Sequence, residues 1–198
     1  MGEKLSQFIK SYWNYYLELE RQLDSTKRYI EFDKHNFNTY SIEYLKLLQA
    51  TCSEIEVVGK EISSEIGLDC KDAYIQKIGY NVQQVFPDLD SKTVRIGDCV
   101  LTPWKKFKCE RYTDTNGHVG YKLSDKMKTP KWWTAYNKTK HERTSTFKKD
   151  KTNYARANLE NIINAMGGLF ILEMLFMEHL ADGEAFSYEQ SKLFELAQ

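Results

Sequence analysis

Apolar positions in the first eighty-six residues recur mostly at spacings of three and four, the signature of amphipathic helices. Leu5, Phe8, Ile9, Tyr12, Tyr16, Leu19 and Leu23 form one such stripe and predict a helix over residues 3–25. Residues 26–40 lose the period and are rich in Asn, which predicts a connector with a short helical turn. Ser41 is placed to cap the next helix, with Glu43 in its first turn at the positive end of the dipole. Tyr44, Leu48, Cys52, Ile55, Val58, Ile62 and Ile66 then continue at helical spacing until Gly67, a C-terminal stop. A third helix is predicted from Asp69 to Phe86, with Tyr74, Ile78, Val82 and Val85 inward and Pro87 as its end. Gly79 within it marks a close approach by a neighbour.

Between residues 92 and 123 the period changes to two. Thr93–Ile96 and Cys99–Leu101 alternate around Gly97-Asp98, and two further alternating runs flank Asn116-Gly117, a strong hairpin signal. This predicts a small antiparallel β insertion, with His118 exposed at a hairpin tip. Residues 144–152 are polar and lysine-rich and read as a mobile loop. From about Asn153 to Leu180 the chain is nearly continuously apolar in its second half. That predicts a helix buried on most sides, at the centre or at a subunit interface. Gly167-Gly168 would admit another helix closely, and Asn158, Asn161 and Asn164 make a row that reads either as a polar edge beside the core or as a set of donors near residues 132–143. A short terminal helix is predicted over 188–196. The expected fold is mainly α, a bundle of four to five helices with a β insertion, in a single domain over residues 1–198.

Length supports that expectation, since 198 residues suit one domain with a sizeable core. The start, Met1-Gly-Glu-Lys-Leu-Ser, lacks the apolar stretch of a secretory signal, and no run of 18 uninterrupted apolar residues occurs. A cytoplasmic protein with no membrane span is expected. Cys52, Cys70, Cys99 and Cys109 show no CxxC spacing and read as reduced thiols. The Asn137-Lys-Thr139 triplet matches a glycosylation acceptor and is set aside on the same ground.

The net charge of zero hides an asymmetry. Residues 122–156 carry eleven basic and three acidic side chains, whereas 157–198 carry one basic and seven acidic. A basic segment favours an anionic partner, with nucleic acid the obvious class. A solvated lysine-rich loop offset by the acidic tail is the other reading of the same run.

Candidate chemistry concentrates in that segment, in Trp132-Trp133-Thr-Ala-Tyr136-Asn137-Lys138-Thr-Lys140-His141-Glu142-Arg143. A helix here places Asn137, Lys140, His141 and Arg143 on neighbouring faces. No HExxH or HxxxH metal motif, phosphate loop of the GxxxxGK type or GxSxG elbow occurs, so no metal or cofactor is expected. Histidine is the side chain best suited to take and return a proton near neutrality. Arginine offers a fixed fork of donors to phosphate, and an amide can orient either group. Together these groups suit metal-free RNA cleavage, in which a 2′-hydroxyl attacks the adjacent phosphate. The bland alternative is that Asn137 and His141 cap or bridge helices beneath a loop.

Tyr136-Asn137-Lys138-Thr139-Lys140-His141, followed by a long apolar helix, resembles the motif of HEPN domains from prokaryotic defence and toxin systems. Those domains are helical bundles, commonly dimers, and many are metal-independent RNases. Their motif is an arginine, a polar residue that is often Asn, several residues, then a histidine. Asn137 and His141 match, Tyr136 stands where the arginine belongs, and Arg143 is the nearby substitute. The resemblance spans about 1–86 and 130–180 and leaves the β insertion unexplained. It implies an RNA-associated homodimer of defence or stress response. If active, that protein is a metal-independent endoribonuclease. His141, Asn137 and Arg143 would be its catalytic residues, and Lys138, Lys140, Trp132 and Tyr136 its RNA-binding residues. A non-catalytic module that binds a cognate protein, as an antitoxin or scaffold, is the competing class.

Overall fold

The computed structural model describes residues 2–71 and 74–197 and is mainly helical, with small antiparallel sheets. The predicted first helix is one rod in three parts: α1 (Glu3–Phe8), a π-helical turn (Ile9–Trp13) and α2 (Asn14–Ser25). The π turn rotates the stripe by one position. Trp13 therefore takes the core place that regular periodicity gives to Tyr12. It is fully buried and stacks on Tyr16 with centroids 4.8 Å apart. Tyr12 moves to the edge, where its hydroxyl donates to Glu61 at 3.4 Å.

Helix α3 (Ile42–Glu65) starts at Ser41, whose Oγ accepts from Tyr44 N at 3.1 Å, and stops at Gly67 in the left-handed region, as its sequence predicts. Helix α4 (Ile75–Val85) begins later than Asp69. The Asp69 carboxylate accepts from Lys71 N, a local side-chain bond that competes with helix; residues 72 and 73 of the predicted start lie outside the described residues. The approach marked by Gly79 is real. A Cβ there would sit 2.5 Å from the Phe107 ring.

Helix α6 (Leu159–Ala181) opens six residues after Asn153, which instead begins a 3-10 turn, and is capped by Asn158. It packs most extensively on α3. By length and composition α6 could cross a membrane, but 89% of its most apolar window is buried inside the protein. Its apolarity is thus that of a central core helix. The Gly167-Gly168 pair admits a strand and a loop, together with the Trp132 side chain of the helix over Lys131–His141, which lies 3.4 Å from a Cβ built on Gly168. Val94 lies 2.8 Å from a Cβ built on Gly167, and Pro103 and Trp104 crowd Gly168.

The β region is two separate sheets. Strand β1 (Thr93–Ile96) lies between β2 (Cys99–Leu101) and the C-terminal β7 (Glu195–Ala197), all antiparallel. Strands β3 (Cys109–Thr113) and β4 (Val119–Leu123) make the hairpin around Asn116-Gly117, with His118 exposed at its tip. The short terminal helix predicted over 188–196 is therefore corrected to an extended segment ending in β7. Its cause is a long-range anchor that no local pattern records. Buried Glu20 of α2 accepts from Lys192 N at 2.9 Å, Leu193 N at 3.3 Å and the Ser191 hydroxyl, which seats Leu193 and Phe194 in the core. The polar loop 144–152 is likewise corrected to a hairpin, β5 (Thr146–Lys148) and β6 (Lys151–Thr152). Backbone bonds from Asn153 N to Ser145 O and from Tyr154 N to Arg143 O pin its base.

Candidate functional site

Helix α5 (Lys131–His141) follows Pro130, whose restricted backbone suits the edge of a helix. Its inward face is Trp132, Trp133, Ala135, Tyr136 and Thr139. Trp132 is 2% exposed and donates its indole N–H to Pro103 O at 2.9 Å, while Trp104 packs edge-on against it and donates to Gly168 O. These tryptophans fasten α5 to α6. The rings of Trp132 and Tyr136, expected on the RNA-contacting surface, are spent in the core.

The outer face carries Asn137, Lys138, Lys140 and His141. These four line an open cleft of about 520 Å³ between α5 and the α3–α4 side, where Glu56, Tyr74 and Gln76 form the other wall. Lys140 donates to the Tyr136 hydroxyl at 3.0 Å and lies over that ring, and this bond raises its pKa. Lys138 pairs with Glu142 at 2.8 Å, an exposed i,i+4 contact worth about 0.3–0.5 kcal/mol. Arg143 is placed differently from the expectation that it stands beside His141. Its Nε donates to Thr139 O at 3.2 Å, closing the C-terminus of α5, and it does not line the cleft.

The histidines have different surroundings. His35 bonds Asp33, His118 bonds Asp114 at 3.3 Å, and His179 stacks beside Phe176. The imidazole of His141 is exposed and, among the described residues, makes no hydrogen bond. Glu56 is the site residue that sequence reasoning missed. It lies on α3, eighty-five positions before His141, and off the apolar stripe; no local motif joins the two. The cleft thus brings one imidazole, two amides (Asn137 and Gln76), two ammonium groups and one carboxylate to the same opening.

All four cysteines are free, and burial pushes the Cys109 thiol up to about 12 and Cys52 well above its usual range. Such thiols are inert at neutral pH. No family model, curated protein or solved structure matches this chain.

Proposed function

We propose that the protein is an RNA-associated protein of HEPN-like type and a metal-independent endoribonuclease acting through the α5 cleft. The observation that carries the reading is the imidazole of His141, exposed and unbonded at the rim of a cleft that also holds Asn137 and two lysines. On this reading α1–α6 form the helical bundle of that class, the protein works as a cytoplasmic homodimer, and its setting is defence or stress response. His141 takes the proton of an RNA 2′-hydroxyl; the 2′-oxygen bonds to phosphorus as the bond to the 5′-oxygen breaks, and the leaving oxygen takes a proton from solvent. Lys140, held by Tyr136, supplies the positive charge nearest the position where the family motif has arginine. Asn137 orients His141 or the phosphate, and Lys138 adds charge at the rim.

The test is incubation of bulk RNA with excess chelator and either wild type or His141→Ala. Cleavage by wild type that the variant loses supports the enzyme. Intact RNA with both proteins rejects it.

One observation favours the second reading, a non-catalytic module for a cognate protein. Tyr136 is buried and Arg143 is used as a helix cap, so neither puts a guanidinium in the cleft. Salt-sensitive RNA binding without cleavage, lost on mutating Lys138 and Lys140, would leave an RNA-binding module, and neither activity would favour the cognate-protein class.

A further inference from the structure

Beside the His141 cleft, and sharing Thr129 and Thr134 with it, lies a second opening of about 580 Å³. Three basic side chains of its lining, Lys148, Lys151 and Arg156, come from the β5–β6 hairpin and the turn after it. Lys131 adds a fourth at the start of α5, and Glu160, 3.8 Å from Lys131, is the one carboxylate of that lining. Arg156 is the organised member. Its Nε donates to Asn153 Oδ1 at 2.8 Å, and Asn153 is itself 3% exposed and tied by its amide to Glu142 O at 2.9 Å. The guanidinium carbon lies 4.0 Å from the centroid of the half-buried Phe147 ring. The guanidinium is therefore fixed in position, while its two terminal nitrogens bond nothing among the described residues and remain as a fork of donors.

A fixed guanidinium fork binds a phosphate through paired charge-assisted hydrogen bonds. Lysines without ion-pair partners around it bind further phosphates by charge, and Lys148 and Lys151 have none among the described residues. The guanidinium lies over the Phe147 ring, and such an arginine–aromatic stack can be extended by an unstacked base. We infer that this second cleft is a phosphate-binding site for single-stranded RNA, whose backbone passes from Arg156 over Thr129 and Thr134 into the His141 cleft. The inference rests on the RNA reading of that neighbouring cleft and adds the surface that holds the strand. A duplex would hide the bases from Phe147 and Arg156.

The experiment measures fluorescence anisotropy of a short labelled single-stranded RNA, the same sequence as a duplex, and polyglutamate, each titrated with full-length protein. Arg156→Gln should weaken the single strand about tenfold, as expected for loss of a bidentate phosphate contact. Lys148→Gln with Lys151→Gln, both exposed and fold-neutral, should lower the slope of log affinity against log salt by about 1.4. Phe147→Leu should erase the preference for single strand over duplex. Wild-type affinity in the Arg156 and double-lysine variants, both melting as wild type, overturns the inference. So does binding of polyglutamate or duplex as tight as the single strand. Should Arg156→Gln unfold, the double-lysine variant decides alone. Cleavage lost in His141→Ala with RNA binding indifferent to Arg156 rejects this cleft and leaves the catalyst. Arg156-dependent binding without cleavage by wild type does the reverse.

Discussion

Glu173 stands in the middle of α6 with no exposed surface, and among the described residues neither of its carboxylate oxygens has a hydrogen-bond partner. Burial, and after it the charge of Glu54, raises its pKa well above the usual carboxylate range. The folded protein therefore keeps the Glu173 proton at a pH where the unfolded chain has released it. With more protons bound in the folded state, stability falls as pH rises, by about 1.4 kcal/mol per pH unit above an unfolded pKa of about 4.3. The loss continues until the folded carboxyl itself ionises. Glu173→Gln has nearly the same volume and cannot ionise, so it removes this slope and little else. The variant should gain on wild type progressively as pH rises above about 4.3, until the folded carboxyl itself ionises, with little gain near about pH 4. Urea unfolding of both proteins at each pH measures this, and taking the difference cancels the titrating groups that do not interact with Glu173. A difference that stays constant over the whole range would mean that Glu173 ionises as in the unfolded chain despite its burial, which would refute the predicted slope.

Three further outcomes follow from packing and anchoring. Gly79→Ala should destabilise the protein by about 1–3 kcal/mol through overpacking against Phe107, despite a helix-propensity gain of up to about 1 kcal/mol; the shift of the urea midpoint checks the sign. Glu20→Ala should release Lys192 N, Leu193 N and the Ser191 hydroxyl together. Loss of amide-exchange protection at Arg95, opposite Glu195, should report the detachment of β7 while α3 stays protected. Lys138→Ala should move the urea midpoint hardly at all, by no more than about 0.5 kcal/mol, because its pair with Glu142 is exposed.

The helical part of the fold was legible where the signal is local. Ser41 and Gly67 bound α3 as their capping chemistry dictates, and the apolar density of the α6 region correctly marked a buried helix. Legibility failed where a distant group decides. Tyr12 and Trp13 exchange roles through a π turn. Residues 188–197 are extended because Glu20, about 170 positions earlier, accepts their amides. Lysine-rich residues 144–152 read as loop because a short exposed hairpin has no apolar face to announce it. The site behaved in the same way. Asn137, Lys138, Lys140 and His141 lie on one helix and face one cleft, as helical spacing predicts. Arg143 falls past the end of that helix and turns back to cap it. Trp132 and Tyr136, prominent in the motif, face the core because their spacing matches the inner stripe. Glu56 and Arg156 reach the clefts only through tertiary packing.

The central claim is that His141 moves a proton from a 2′-hydroxyl, and it is tested most directly with a paired substrate. One RNA oligonucleotide and its counterpart with a single 2′-deoxy nucleotide at the cleaved position are incubated with wild type in excess chelator, and the 3′ ends of the products are analysed. Wild type should cleave the all-RNA strand to a 2′,3′-cyclic phosphate and leave the deoxy position intact, and His141→Ala should cleave neither strand. Equal cleavage of both substrates, or cleavage that survives His141→Ala, would contradict the central claim.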